Sequence, residues 1–316
     1  MTHPSNGVLV VNKHIEFVAP KLSPKYSVFK AWSSISRTDR ASVKALVVAG
    51  ETPFDRSLLS EFPNVRLIAC LTSGYDGVDV AWAGRHGIDV THAVGVNHED
   101  VADHAVGLMI AWERGLVQGN QAVLSGEWRA ERKTLTRSIN GLRVGIVGMG
   151  AIGKAIVKRC AAFDLQIEWW GPNPKPQVTL RRRETLTDLA AASDVLFVCS
   201  RAEEGNRHMI SDEVQKEIGS KGLLINVARG SLVDEDALIR NLKSGKLGGA
   251  ALDVFETEPT DPSRWRDVPN AILTPHTGGA TLEAIPKMLA QLELNLDALF
   301  EGTDLVTPVM LVGTGK

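Results

Sequence analysis

The sequence predicts an α/β fold of two domains, each a parallel sheet with helices on both faces. Three observations carry that expectation. Short β-rich runs alternate with helical patterns along the whole chain, as parallel sheets with crossover helices require. The 316 residues are more than one ordinary core occupies and suit two domains. A glycine-rich turn between an apolar strand and a helix lies near the middle of the chain, so one complete sheet-and-helix unit sits inside a longer chain.

The elements follow in order. In the first third, residues 7–11, 45–49, 65–70 and 89–92 read as strands, with helix-compatible stretches such as 55–62 and 80–86 between them. A long helix is expected over 97–119, because Val101, His104, Ala105, Leu108 and Ala111 recur at helical spacing. Asn97 is a good N-cap for it, and Glu99 and Asp100 suit the positive end of the helix dipole. Residues 142–147 read as a buried strand and 151–163 as a helix; 166–170, 194–199, 222–226, 248–253 and 271–274 read as further strands. A helical pattern over 282–300 closes the chain. The parse that results is a discontinuous outer domain, 1–98 plus 286–316, around an inner domain, 99–285. An N-terminal domain simply followed by a C-terminal one is the alternative.

Composition excludes several classes. A net charge of −2 gives no electrostatic footprint for nucleic acid or an anionic membrane. Cys70, Cys160 and Cys199 are too few and too far apart for a disulfide framework or a metal site, which points to a reducing compartment. Residues 1–7 are polar and lack an apolar signal core, and no apolar run reaches the roughly 18 residues of a membrane span. The expected location is the cytoplasm.

The strongest motif is Gly148-Met-Gly150-Ala151-Ile152-Gly153. Its context is a preceding strand, Arg143-Val-Gly-Ile-Val, and a following helix, which makes it a dinucleotide-binding fingerprint; both domains read as Rossmann-like, the inner one for the dinucleotide and the outer one for the substrate. The first glycine permits the tight turn, the second lets a pyrophosphate approach the backbone, and the third lets the helix pack on the strand. The helix N-terminus then offers free N–H groups to the phosphates. An NAD site usually ends the next strand with Asp or Glu for the ribose 2′-hydroxyl. Here the strand Ile167-Glu168-Trp169-Trp170 runs into Gly171-Pro-Asn173-Pro-Lys175 with no carboxylate at its end. That favours NADP(H), with Asn173 and Lys175 in the turn, and leaves NAD(H) possible; Glu168 lies too early in the strand to be a good ribose ligand.

Three later segments belong together. Arg229, Glu258 and His276 each follow an apolar strand, so all three arise from strand ends on one rim, where open α/β sheets place their ligands. Reduction of a 2-oxo acid needs these three types. Arginine holds a carboxylate and polarises the carbonyl with a planar fork. Histidine protonates the oxygen as hydride arrives. A carboxylate orients that histidine and favours its charged form.

At this point the sequence resembles the D-isomer-specific 2-hydroxyacid dehydrogenases, and within them the glyoxylate/hydroxypyruvate reductase branch. The motifs that carry the resemblance are Thr72-Ser-Gly-Tyr-Asp76, Asn97-His-Glu-Asp-Val101-Ala-Asp-His104, the glycine turn, Asn226-Val-Ala-Arg229-Gly230, Ala251-Leu-Asp253-Val-Phe-Glu-Thr-Glu258-Pro259 and Pro275-His276-Thr-Gly278-Gly279. The resemblance implies Arg229 as substrate ligand, Glu258 as partner of the histidine and His276 as proton donor. It also implies Asp253 at the nicotinamide carboxamide, and Val101, Cys199, Val227, Ala228, Arg229, His276 and Gly278 beside the cofactor. Ser73 and Gly74 would give backbone N–H groups to the substrate carboxylate. By the same resemblance Trp128 anchors an arm that joins two copies in a homodimer.

Two departures stand out. Gly171 replaces the family's acidic clamp, and Cys199-Ser-Arg-Ala-Glu-Glu-Gly205 replaces a proline-containing loop. Glu258, where formate dehydrogenases have Gln, argues against formate, and the end at Lys316 argues against the long phosphoglycerate dehydrogenases. His104 reads as a packing or hydrogen-bonding residue; Arg181–Arg183 suggests a phosphate contact but reads rather as capping or solvating a helix over 185–192. The expected activity is reduction of a small 2-oxo acid to its D-2-hydroxy acid. The rivals are a dinucleotide-sensing co-repressor on the same fold and a dehydrogenase of a larger sugar-derived 2-keto acid.

Overall fold

The structure, a computed structural model, describes residues 6–129 and 135–310. The polar N-terminus lies, up to Ser5, outside the described residues, as do the end of the expected outer domain from 311 and the continuation of the Trp128 arm over 130–134. The chain divides into two compact units, Met1–Val96 with Leu282–Lys316, and Asn97–Thr281. These borders differ from the expected 98/99 and 285/286 for local reasons. The carbonyl of Asn97 accepts from the amide of Val101, so the first turn of the helix His98–Glu113 stays whole within the second unit. Ala284 is fully buried in an apolar cluster of the first unit.

The first unit holds β1 (Gly7–Val10), β2 (Ser27–Lys30), β3 (Val43–Val48), β4 (Leu67–Cys70) and β5 (Asp89–Thr91), all parallel, in the order β2-β1-β3-β4-β5. Side chains alternate between two apolar clusters: Val8, Val10, Ala45, Val47, Leu67 and Ala69 on one face, Leu9, Leu46, Val48, Ile68 and Cys70 on the other. Burial on both faces explains the nearly continuous apolar runs. β2 was not expected; as a half-exposed edge strand it shows no such run. The helix expected over 55–62 is a 3-10 helix, Arg56–Glu61, with no buried residue to support a longer one.

The second unit holds β6 (Arg143–Val147), β7 (Gln166–Trp170), β8 (Val195–Val198), β9 (Leu223–Asn226), β10 (Gly249–Leu252) and β11 (Ala271–Leu273), all parallel, in the order β11-β10-β9-β8-β6-β7. The chain leaves β6 for β7 on one side and returns to β8 on the other, so strand order reverses at β6. Because all six strands run the same way, the loops after each emerge on one rim. The helix expected over 97–119 is interrupted: His98–Glu113 ends, Gly115 takes the left-handed conformation at φ 57°, and Leu116–Leu124 starts afresh. Asn97 does not cap with its side chain; its Nδ2 donates to the carbonyl of Gly279 at 3.5 Å. The helices Asp212–Ile218 and Glu235–Ser244, capped by the Ser211 and Asp234 side chains, were not expected. Among the described residues no helix is long and apolar enough to cross a membrane.

Candidate active site

The glycine turn follows β6, at the point where strand order reverses, which is where open parallel sheets bind ligands. Gly148 has φ 97°, and a Cβ there would lie 2.6 Å from the Ser200 backbone. A Cβ on Gly153 would lie 2.1 Å from the Gly148 carbonyl oxygen, so the helix Ala151–Ala161 can rise only from glycine. Gly150, its N-cap, faces open space and supplies no side-chain cap, which leaves the first amides, Ala151 and Ile152 among them, to whatever sits above the turn. This cradle fits a pyrophosphate. Cys199 supports it from beneath: its Sγ donates to the carbonyls of Gly148 (3.1 Å) and Val147 (3.3 Å), and burial pushes the thiol up to about 12.

At the end of β7, Gly171 is buried, Asn173 exposed and Lys175 half-buried. Glu168 accepts from Arg183 and, at 3.5 Å, from Arg181, so it turns to those arginines and not to a ribose. The arginine run corrects the expectation that it caps or solvates the next helix. That helix, Leu186–Ala191, is capped by Thr185, whose Oγ1 accepts from the Asp188 amide at 3.0 Å. Residues around Arg182 instead run beside β7, with a parallel bridge between Trp169 and Arg182.

On the same rim, the loops after β9, β10 and β11 bring Arg229, Glu258 and His276 together. His276 Nδ1 bonds Glu258 Oε2 at 2.6 Å, and the other Glu258 oxygen accepts from the Phe255 amide at 2.9 Å. Burial opposes ionisation of Glu258, but these hydrogen bonds and the nearby charge of Arg229 hold its carboxyl below the usual range. Arg229 Nη1 donates to the Ala228 carbonyl at 2.7 Å, and Asn226 braces the loop by bonding the Arg229 carbonyl (3.0 Å) and the Ala228 amide (3.1 Å). Val227 and Ala228 are buried.

His276 sits at φ 53°, a left-handed conformation that costs a non-glycine residue about 1–3 kcal/mol. Asp253 holds it there. The Asp253 backbone carbonyl accepts from the His276 amide at 2.8 Å, and its carboxylate accepts from the Thr274 hydroxyl (2.6 Å) and the amides of Thr277 (3.0 Å) and Gly278 (2.8 Å). His104 Nε2 lies 3.3 Å from Asp253 and 3.0 Å from Thr274 Oγ1, the hydrogen-bonding role expected for it. Burial pushes the Asp253 carboxyl up, but the bonds from His104, Thr274, Gly278 and Thr277 outweigh it and hold the carboxyl below its usual range. Val101, in the helix His98–Glu113, is a buried core residue that packs near Gly279.

Ser73 and Gly74 lie in the first unit, in the loop after β4. The Thr72 hydroxyl donates to the Gly74 carbonyl at 3.1 Å, and His92 Nδ1 bonds the Ser73 carbonyl at 2.9 Å. Trp128 is 74% exposed, and Val123 and Leu124 before it are exposed as well.

Sequence reasoning missed the part of Gly230. A Cβ there would lie 1.8 Å from the Phe255 backbone, so only glycine lets the Arg229 and Glu258 loops approach. The glycine directly after Arg229 was a signal, but nothing local says which backbone comes close to it.

Residues 106–278 match the family model described as D-isomer specific 2-hydroxyacid dehydrogenase, NAD binding domain. The chain is 38% identical to a glyoxylate/hydroxypyruvate reductase A of Arabidopsis thaliana over 97% of this chain and 99% of that one. It is 34% identical to a hydroxyphenylpyruvate reductase of Plectranthus scutellarioides over 96% of this chain and 99% of that one. Among solved structures, an NADPH-dependent glyoxylate/hydroxypyruvate reductase of Sinorhizobium meliloti, in complex with NADP and malonate, superposes with a TM-score of 0.89 at 34% identity, covering 96% of this chain and 97% of that one. The chain belongs to the D-isomer-specific 2-hydroxyacid dehydrogenase family.

Proposed function

We propose that this chain reduces a small 2-oxo acid of the glyoxylate/hydroxypyruvate type to the D-2-hydroxy acid, with NADPH as the preferred donor. The observation that carries the reading is the 2.6 Å bond between His276 Nδ1 and Glu258, on the same rim as Arg229. With Nδ1 committed to the carboxylate, Nε2 is the nitrogen that delivers a proton to the substrate oxygen. Glu258 stabilises the imidazolium before transfer. Arg229 forks onto the substrate carboxylate and polarises the adjacent carbonyl. Asp253 is a positioning residue that fixes the loop on which His276 stands. The nicotinamide, when bound, supplies the hydride. The amides of Ser73 and Gly74 are assigned to the substrate carboxylate by the family resemblance of their segment.

The substrate class rests on the relatives whose names carry it, and the cofactor preference on the missing acidic clamp at Gly171. The experiment is oxidation of NADPH and of NADH followed at 340 nm with glyoxylate, hydroxypyruvate and bulkier 2-oxo acids. The reading expects the highest kcat/KM with NADPH and one of the two small acids. Preference for NADH, or for a bulky acid, overturns the corresponding half.

The same proposal includes a homodimer in the cytoplasm. Exposed Val123, Leu124 and Trp128 support the first, since exposed apolar clusters mark association surfaces. Three dispersed cysteines support the second. Light scattering at the monomer mass would contradict the dimer.

A further inference from the structure

We infer that Arg182 is the residue that reads the 2′-phosphate of NADP in this chain, reaching the end of β7 from a segment that runs beside the strand. The inference rests on the NADPH reading above and adds an arginine to the Asn173 and Lys175 that the sequence places in the turn. When the acidic residue at the end of the second strand is missing, a nearby arginine accommodates the 2′-phosphate. Here that strand ends at Trp170, and the residues directly after it, Gly171-Pro172-Asn173-Pro174, contain no arginine.

Arg182 arrives by another route. The chain loops out after Gly171 and returns parallel to β7, bridging Trp169 with Arg182. The Arg182 side chain then donates to the Gly171 carbonyl from Nη2 at 2.7 Å and from Nε at 3.3 Å. Its guanidinium carbon lies 5.9 Å from the centroid of the buried Trp169 ring. Two hydrogen bonds to one carbonyl and an aromatic neighbour set the orientation of the planar group in advance, and little side-chain entropy remains to be lost on binding.

Charge separates Arg182 from its neighbours. Arg181 and Arg183 both pair with Glu168. Among the described residues no carboxylate lies within ion-pair distance of Arg182, so its charge is the one in the run that is not neutralised internally. Its remaining N–H groups sit at the end of the strand next to the glycine turn, the position that the fold reserves for the adenosine ribose.

The test is equilibrium calorimetry with NADP⁺, NAD⁺, 2′,5′-ADP and 5′-AMP on the wild type, Arg182→Gln, Arg182→Ala and Arg181→Ala. The two adenosine phosphates differ only in the 2′-phosphate and need no turnover. In the wild type, NADP⁺ and 2′,5′-ADP should bind more tightly than NAD⁺ and 5′-AMP. Arg182→Gln can keep a hydrogen bond to the Gly171 carbonyl but loses the charge. It should weaken NADP⁺ and 2′,5′-ADP by roughly 10- to 100-fold, the range for a charged hydrogen bond, and change NAD⁺ and 5′-AMP by less than about twofold. Arg182→Ala should do the same, with NAD⁺ binding as its control for folding, and Arg181→Ala should leave the ratio intact. A wild type that prefers NAD⁺ overturns both the NADPH reading and this inference. A wild type that prefers NADP⁺ together with an Arg182→Gln that keeps the preference, or loses both cofactors equally, overturns the role of Arg182 alone.

Discussion

The two candidate sites on the rim of the second unit are built on different principles. The turn after β6 is a site made of backbone: three glycines and the first amides of a helix shape it. The rim after β9, β10 and β11 is a site made of side chains, and its histidine loop is held by bonds to segments distant in sequence. The His276–Glu258 pair spans 18 residues, and the Thr274–His104 contact spans 170. A backbone site writes its requirements into neighbouring residues. A side-chain site writes them across the topology, and its parts become interpretable only when several strand ends are set on one rim.

The comparison gives a scale for disruption. The largest effect should belong to the group proposed to move a proton. His276→Ala should lower kcat by about 10²–10⁴-fold, the usual range for a general acid, with little change in the Kd for NADP⁺. A loss of cofactor affinity without a loss of kcat would move His276 from the chemistry to the cradle. Arg229→Lys comes next: a point charge cannot reproduce the fork, so kcat/KM should fall nearly as far as in Arg229→Ala, roughly 10–100-fold for a charged hydrogen bond. A lysine variant with most of the activity would contradict two-pronged recognition.

Gly230→Ala tests where the two principles meet, since a backbone approach there sets the distance between the Arg229 and Glu258 loops. The new Cβ would lie 1.8 Å from the Phe255 backbone. Overpacking of this kind costs about 1–3 kcal/mol or more, which is roughly 2–12 °C in Tm for a unit of this size. An unchanged melting temperature would show that the loops can part freely. Asp253→Asn should have the smallest effect on catalysis and a distinct signature in acid. The Asp253 carboxyl is held below its ordinary value of 3.8 in the fold. It therefore contributes stability that is fully present above that value and is lost as pH falls through the depressed folded value. The variant should be less stable at neutral pH, and its stability should fall less steeply below about pH 4, as measured by denaturant unfolding at stepped pH.

How much could be read in advance follows the same division. Gly148–Gly153 and β7 were legible because strand, turn and helix are local patterns. Arg229, Glu258 and His276 were legible as strand-end residues, but their contacts were not. Gly230 acts through Phe255, which no local pattern announces. Asp253 stood out in the sequence as a residue after β10, but its bonds to Thr274, Thr277 and Gly278 were not readable there. The arginine run was misread for a related reason. Its spacing from the next helix suggested a cap, yet Thr185 already fills that place, and only the return of the chain beside β7 brings Arg182 to Gly171. β2 and the capped helices Asp212–Ile218 and Glu235–Ser244 were missed because short, partly polar elements take their stability from packing and not from their own pattern.

The central claim is that Glu258 tunes His276 as the proton donor, and pH–rate profiles of the wild type and Glu258→Gln test it most directly. Reduction needs the imidazolium, so the rate should fall as pH rises past its titration. Glutamine keeps a hydrogen bond to Nδ1 but removes the charge that favours the imidazolium. The falling limb in kcat should therefore move to lower pH, while the Kd for NADP⁺ stays within about twofold. A limb that stays in place in Glu258→Gln would contradict the account and make the carboxylate a structural element of its turn.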